Sequence, residues 1–309
     1  VTGVIVFGSF VFNVGNISGC ALGLESLLGV NQLLGASLSA LIAVALFLRP
    51  GMMTRVDWFS KLLGAGMILM TGYVAFATRP PLVQAAREAV FPQRVDFSAI
   101  VTLVGGTIGG YIMFSGAHRL LDAKLQGAEN TRLISRASIR GIVITGLMRF
   151  VLFLAVLGVV QTGTQLSRST PVFDAFRAGA GRIGFTLSGL VFWSAAITSV
   201  VGCSYTSISF LQGQTSERAQ ARWIIAFIIL SLATVLLLRL FGWQPTPLLI
   251  AAGTINGVLM PVILGVILVA AYRQPIMGAY RHPWWAGAVG LLAWSITLFM
   301  AYRTVRDSL

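Results

Sequence analysis

The residues in this chain that could do chemistry are few, and most are neutral oxygens. Only 9 of 309 residues are Asp or Glu, and only Glu25 lies close to an apolar run. It sits at the first turn between helices, where a solvated turn residue is the simpler reading. Acids within a membrane span are the usual mark of ion and proton paths, so a path here falls to polar backbone and small side chains. The run Gly105-Gly106-Thr107-Ile108-Gly109-Gly110-Tyr111 places four glycines in six positions. Glycine costs about 1 kcal/mol in a helix interior. Such a cluster either lets another helix approach closely or marks an unwound segment whose carbonyls can coordinate a cation. The sequence leaves both readings open. A second interruption, Gly253 to Pro261, carries Asn256, which offers an amide oxygen. Pro261 deprives a carbonyl one turn earlier of its usual donor.

Two further stretches are polar within apolar surroundings. Asn13, Asn16 and Ser18 form one patch, and Thr198, Ser199, Ser204, Thr206, Ser207 and Ser209 form another around Tyr205. The hydroxyls suit a hydrated path, or they bond the backbone of their own helix. The candidate substrate path is therefore Gly106, Thr107, Gly109, Gly110, Tyr111 and Asn256, extended by Asn13, Asn16, Thr198 and Ser199. No nucleophile–base pair, metal-ligand cluster or phosphate loop accompanies them in the sequence. His118 and His282 lie at span ends among basic residues, and Cys20 and Cys203 read as small packing residues. The glycine run lacks the βαβ setting of a dinucleotide fingerprint. An enzyme is not expected.

The elements that must position these groups are apolar. Nine stretches, roughly 3–24, 29–48, 60–78, 97–117, 140–160, 185–210, 222–241, 247–271 and 285–303, approach the about 20 residues a helix needs to cross the hydrocarbon core. In lipid each must be helical or lie buried among helices. The chain is 56% hydrophobic and 10% charged, with mean hydropathy +0.86, whereas soluble domains carry about a quarter charged residues. Soluble, fibrous and disordered classes are excluded on this count. The net charge of +13 would suggest nucleic acid in a soluble protein. Here the basic residues lie mostly in short stretches between apolar segments, as topology determinants do, so the bilayer is the expected partner and nucleic acid is not. Their bias places the N-terminus on the cytoplasmic side. Trp58, Trp223, Trp243, Trp284 and Trp285 near span ends read as an interfacial aromatic belt. The segments 79–96 and 161–184 read as surface connections with short amphipathic helices.

Three of these stretches carry a resemblance: Phe12-Asn13-Val14-Gly15-Asn16-Ile17-Ser18-Gly19, the run from Gly105 to Asp122 ending Gly116-Ala117-His118-Arg119-Leu120-Leu121-Asp122, and Trp193 to Phe210. The sequence resembles the NRAMP-type divalent metal transporters, more closely their NRAMP-related bacterial branch, over essentially the whole chain. The resemblance implies an all-α polytopic membrane protein with the LeuT-like inverted-repeat fold of the APC superfamily. It implies one transporter domain over 1–309: a first-repeat remnant at about 1–96, a second repeat at about 97–271 and an extra C-terminal helix at about 285–303. On the family's frame of about eleven helices, the first span here is the third helix and the fourth is the discontinuous sixth. The chain is then expected to lack the first two helices, including the unwound one that supplies half of the family's metal site.

The same resemblance implies that the Gly106 backbone carbonyl is a metal ligand, with Asn256 as a second candidate. The family's methionine ligand falls at Gly109, the proline and histidine after it at Gly110 and Tyr111, and its third-helix acids near Asn13 and Asn16. Without the thioether the soft preference is lost, and a site of oxygens and bound water suits Mg²⁺. Without the acids and the histidine, the titratable groups for proton coupling are gone. The expectation is a permease for Mg²⁺ or Mn²⁺ in the bacterial cytoplasmic (inner) membrane, with proton coupling not required. The divalent cation is then cargo, and no resident cofactor is expected. Two alternatives stand beside it: a permease for a small organic acid or amino acid on the same fold, and a non-transporting membrane scaffold. The scaffold predicts tight packing and no cavity at the level of Gly106 and Asn256.

Overall fold

The computed structural model describes residues 2–48, 52–108, 120, 125, 127, 130–167, 169–212, 216–278 and 280–308. Among the described residues the chain forms helices and no strands. They are α1 (Thr2–Leu28), α2 (Gln32–Leu48), α3 (Met52–Thr78), α4 (Leu82–Val90), α5 (Phe97–Ile108), α6 (Thr131–Gln161), α7 (Pro171–Gln212), α8 (Glu217–Leu240), α9 (Pro245–Ala271), α10 (Gln274–Met277) and α11 (Trp284–Ser308). Six of these are long and apolar enough to cross a membrane, and α2, parts of α3 and α5 are shorter apolar helices. Together they coincide with the nine apolar stretches of the sequence. The described part of the fourth stretch ends at Ile108.

Between spans, α4 is the short amphipathic helix expected in segment 79–96. In segment 161–184 the start of α7 is helical, then breaks at Ala180 and Gly181, where Gly181 has φ 63°. A side chain is disfavoured in that region of backbone space and glycine is not. One expectation needs correction. The run Gly253–Pro261 does not interrupt its span, because α9 is helical from Pro245 to Ala271. Trp294 of α11 donates its indole N–H to the Pro261 carbonyl at 2.9 Å. That bond ties α11 to α9 at the proline, although the carbonyl that the proline leaves without its usual donor is the one a turn earlier, at Gly257.

The bundle is organised around α1. Within its apolar window 67% of residues are buried inside the protein, against 6% for α11, so α1 is the core and α11 faces lipid. Lipid tails are as apolar as leucine, so helices in a membrane associate through close packing rather than hydrophobic exclusion. Small residues on α1 provide that contact. A Cβ on Gly23 would lie 2.7 Å from the backbone nitrogen of Trp193 in α7, and one on Gly15 would lie 2.8 Å from the Cβ of Ala252 in α9. A Cβ on Gly35 of α2 would come within 3.2 Å of the Ala21 backbone. Buried Ile17, Cys20, Ala21, Ala36, Ala40, Val200 and Ile228 fill the space among α1, α2, α7 and α8. A second cluster, Met70, Val74, Ala155, Val159 and Phe176, joins α3 to α6 and the first part of α7.

The helix α5 packs on α9 backbone to backbone. A Cβ on Gly105 would overlap the Gly253 carbonyl oxygen and the Gly257 backbone nitrogen, while one on Gly106 would meet only the Gly253 Cα, at 3.9 Å. A hydrogen bond of 2.6 Å between the hydroxyls of Thr102 and Thr254 lies on the same seam. Adjacent glycines therefore have different tolerances. Gly105→Ala is expected to cost about 3 kcal/mol, the upper end of the usual cost of overpacking, and Gly106→Ala only the small propensity effect of a helical Gly→Ala change. Thermal unfolding of the two variants in detergent checks this. Equal stability would contradict the seam.

Candidate substrate path

The described polar groups of the path fall into two separate sets. The first lies where α1 crosses α7 and α8. Asn13 is wholly buried, and its Nδ2 donates to Ser231 Oγ of α8 at 3.0 Å and to Ser204 Oγ of α7 at 3.4 Å. Both serine hydroxyls donate to carbonyls of their own helices, Ser204 to Val200 at 2.7 Å and Ser231 to Phe227 at 2.8 Å. Their protons are thereby committed, and lone pairs face the asparagine. One turn along α1, Asn16 Nδ2 approaches Cys203 Sγ at 3.8 Å. One turn the other way, Ser9 is also wholly buried. The Ser9 hydroxyl and Asn13 Oδ1 have no hydrogen-bond partner among the described residues. This set is neutral throughout.

The second set joins α9 to the start of α1. Asn256 is wholly buried. Its Nδ2 donates to the Gly8 carbonyl at 3.1 Å and to the Ala252 carbonyl at 3.0 Å. The Asn256 oxygen lies so close to α1 that a Cβ on Gly8 would be 2.8 Å from it. The sequence groups Asn256 with Gly106–Tyr111; among the described residues its amide meets α1. Gly253 and Gly257 share the stripe of α9 that meets α5. Asn256 and Ala252 lie on a stripe about 100° around the helix, one residue away at about 100° per residue, and that stripe meets α1. Gly106 is exposed and Thr107 half-buried at the end of described α5. Gly109, Gly110 and Tyr111 lie outside the described residues.

Thr198 and Ser199 bond their own helix. Thr198 donates to the Ser194 and Ala195 carbonyls, each at 3.0 Å, and Ser199 donates to Ala195 at 2.9 Å. Ser207 and Ser209 do likewise, toward Cys203 and Tyr205. Two hydroxyls of this stretch of α7 also accept from other helices, Ser204 from Asn13 and Ser209 from Gln220 Nε2 at 3.2 Å. Sequence reasoning missed Ser231, Thr102, Thr254, and the 2.9 Å hydrogen bond from the Trp193 indole to Ser39 Oγ. The available signal was a lone hydroxyl in an otherwise apolar helix, at a helical spacing that points inward. Among the described residues no group of three or more His, Cys, Asp or Glu is placed to hold a metal ion.

Apolar helices packed around a buried, neutral and polar central helix define a polytopic α-helical membrane protein. Its fold is that of two structures of the manganese transporter of Eremococcus coleocola, determined as variant proteins. Each superposes with a TM-score of 0.67 at 12% identity, covering 97% of this chain and 70% of that one. That likeness gives the LeuT-like arrangement. An uncharacterized membrane protein of Haemophilus influenzae is 46% identical over 299 residues, which is 96% of this chain and 74% of that protein. Uncharacterized membrane protein YcsG of Bacillus subtilis is 42% identical over 303 residues, 97% of this chain and 74% of its own length. Residues 1–307 match the Nramp family, natural resistance-associated macrophage protein-like. The chain belongs to that family.

The contact between Gly8 and Asn256 can be tested by a double-mutant cycle. Gly8→Ala alone is expected to destabilise by about 1–3 kcal/mol, because its Cβ meets the amide oxygen. Asn256→Ala alone is expected to cost about 1–2 kcal/mol, in line with polar contacts between membrane helices. The double variant should be less destabilised than the sum, since Asn256→Ala removes the atom that Gly8→Ala collides with. Strict additivity in detergent unfolding would show that the two residues do not touch.

Proposed function

We propose that this protein carries a divalent metal cation across the bacterial cytoplasmic membrane, with Mg²⁺ or Mn²⁺ as cargo. The observation that carries the reading is the family match over residues 1–307, together with a fold shared with a manganese transporter. The donors support the choice of cargo. The Gly106 carbonyl and the Thr107 hydroxyl at the end of α5 offer oxygen, the ligand type that Mg²⁺ and Mn²⁺ prefer, and Asn256 Oδ1, on the α1 side of α9, has no partner among the described residues. Gly109, Gly110 and Tyr111 complete the proposed path. Within α1, Asn13 and Asn16 are amides engaged with Ser204, Ser231 and Cys203, and none of the groups in these contacts is a carboxylate or an imidazole. Transport without obligatory proton movement follows from that neutrality.

In mechanism, α1, α7 and α8 act as a frame tied by the asparagine–serine contacts. The contact of α5 with α9 is made at Gly105 by backbone and beside it by Val101 and the Thr102–Thr254 hydroxyl pair, so a shift at the end of α5 beyond Gly106 would leave that contact in place. A metal ion reaching Gly106 would exchange bound water for carbonyl and hydroxyl oxygens there. A non-transporting scaffold is the second reading, and the backbone contact of Gly105 with Gly253 and Gly257 favours it, since the helices are closely packed at this level.

Uptake into liposomes, followed with metal-sensitive and pH-sensitive dyes, separates these readings. The expected outcome is entry of Mn²⁺ or Mg²⁺ with no matching change in internal pH. Absence of uptake for every divalent ion ends the metal-transport reading and leaves the scaffold and the organic-acid permease, which uptake of labelled organic acids and amino acids then separates. A fixed proton-to-metal ratio ends the uncoupled form alone.

A further inference from the structure

One surface feature lies away from the proposed path. A groove of about 540 Å³ runs along the outer side of α9, where α10 and α11 meet it, and is lined by Pro261, Val262, Val266, Val269, Arg273 and Trp294 among others. Val262 and Val269 are more than half exposed, so the groove opens toward lipid. Its wall is shaped by a missing side chain: a Cβ on Gly265 would be 2.9 Å from the Trp294 indole nitrogen, and that nitrogen is already held by the Pro261 carbonyl. The groove is therefore built into the α9–α11 contact.

Its two ends differ in chemistry. At one end, near the middle of α9, every lining group is apolar apart from the occupied Pro261 carbonyl. At the other end stands Arg273, exposed, at the N-cap of α10. The surroundings of Arg273 mark the membrane interface. The Tyr272 hydroxyl meets the Pro283 carbonyl at 3.4 Å, Tyr272 and Tyr280 pack on His282, and Trp284 and Trp285 are exposed beside them. Tyr and Trp gather at that depth in a bilayer. Arg281, next to His282 in the segment between α10 and α11, adds a second positive charge to that connection. No carboxylate forms an ion pair with either arginine among the described residues.

The dimensions fit one kind of occupant. Twelve residues separate Pro261 from Arg273, which at 1.5 Å per residue is about 18 Å, against about 15 Å for half the hydrocarbon core. An apolar channel of that length, closed at the interface by an unpaired arginine, matches one acyl chain below one negative headgroup. Basic pockets between membrane helices bind anionic lipids on these terms. We infer that this groove is a binding site for an anionic glycerophospholipid, its headgroup on Arg273 and one acyl chain along Val269, Val266 and Val262.

The test uses the purified protein in vesicles of equal phosphatidylglycerol and phosphatidylcholine, followed by native mass spectrometry of the lipid it retains. The expected result is preferential retention of phosphatidylglycerol. In Arg273→Gln that preference should fall about five-fold, the worth of one basic residue at a membrane surface. Arg273→Lys should largely keep it. Val266→Trp, which fills the groove and leaves the charge, should lose the retained lipid of both kinds. Metal uptake is not the readout, so the result does not depend on the transport proposal. Retention unchanged by both Arg273→Gln and Val266→Trp overturns the inference, as does equal retention of the two lipids by the native protein. A segment of the same polypeptide covering the groove would give that second outcome.

Discussion

The close approach of other backbones to α1 is the constraint on which the rest of this bundle depends. A helix buried in a membrane protein gains little from leaving lipid, so its place must be fixed by contact distance and by hydrogen bonds. Gly15 and Gly23 allow the first, toward Ala252 and Trp193. Asn13 and Asn16 supply the second, toward α7 and α8, and the Gly8 carbonyl receives Asn256 from α9. Four helices are thereby registered against one another. Larger residues at the glycines would hold the helices apart, and the amides would then have no partners within reach.

The neutrality of these contacts bears on function. A buried asparagine between two serines holds its geometry at any physiological pH, because none of the three titrates there. A carboxylate in its place would demand a counter-charge or a proton, and would make the crossing of α1 with α7 and α8 sensitive to both. The contacts of α1 need no counter-charge for that reason, and at the α5–α9 seam Gly105, Gly253 and Gly257 approach through backbone. Charge is kept at the edges, as at Arg273 and in the pair of Arg303 with Asp307 at 4.0 Å.

Much of this is legible in the sequence, for identifiable reasons. Runs of about 20 apolar residues have one solution in lipid, so hydropathy alone locates the six helices long enough to cross a membrane and the three shorter apolar ones among the described residues. Asn13 and Asn16 stand out because amides are costly in such a run and must be satisfied. The direction of Asn256 is not legible. Whether a side chain beside two glycines faces α5 or α1 depends on which helices flank α9, and helical periodicity does not say. The role of Pro261 escapes the sequence for the same reason, since its carbonyl is held by Trp294, 33 positions away in the chain. Ser231 is invisible because one serine in an apolar helix has many explanations until Asn13 is seen beside it. The glycine run at 105–110 supports two readings. For Gly105 the structure shows close packing, while Gly109, Gly110 and Tyr111 lie outside the described residues.

The central claim is that α1 is held in a buried contact with α7 that does not open in the folded protein. Cys20 and Cys203 are native probes of it, both wholly buried, one on α1 and one on α7 beside Asn16. Labelling with membrane-permeant N-ethylmaleimide in vesicles, with and without Mn²⁺ or Mg²⁺, measures this directly by mass spectrometry. The account predicts that neither thiol reacts until the protein is denatured. Rapid labelling of Cys203 in the folded protein would show that the contact opens, and would contradict that claim.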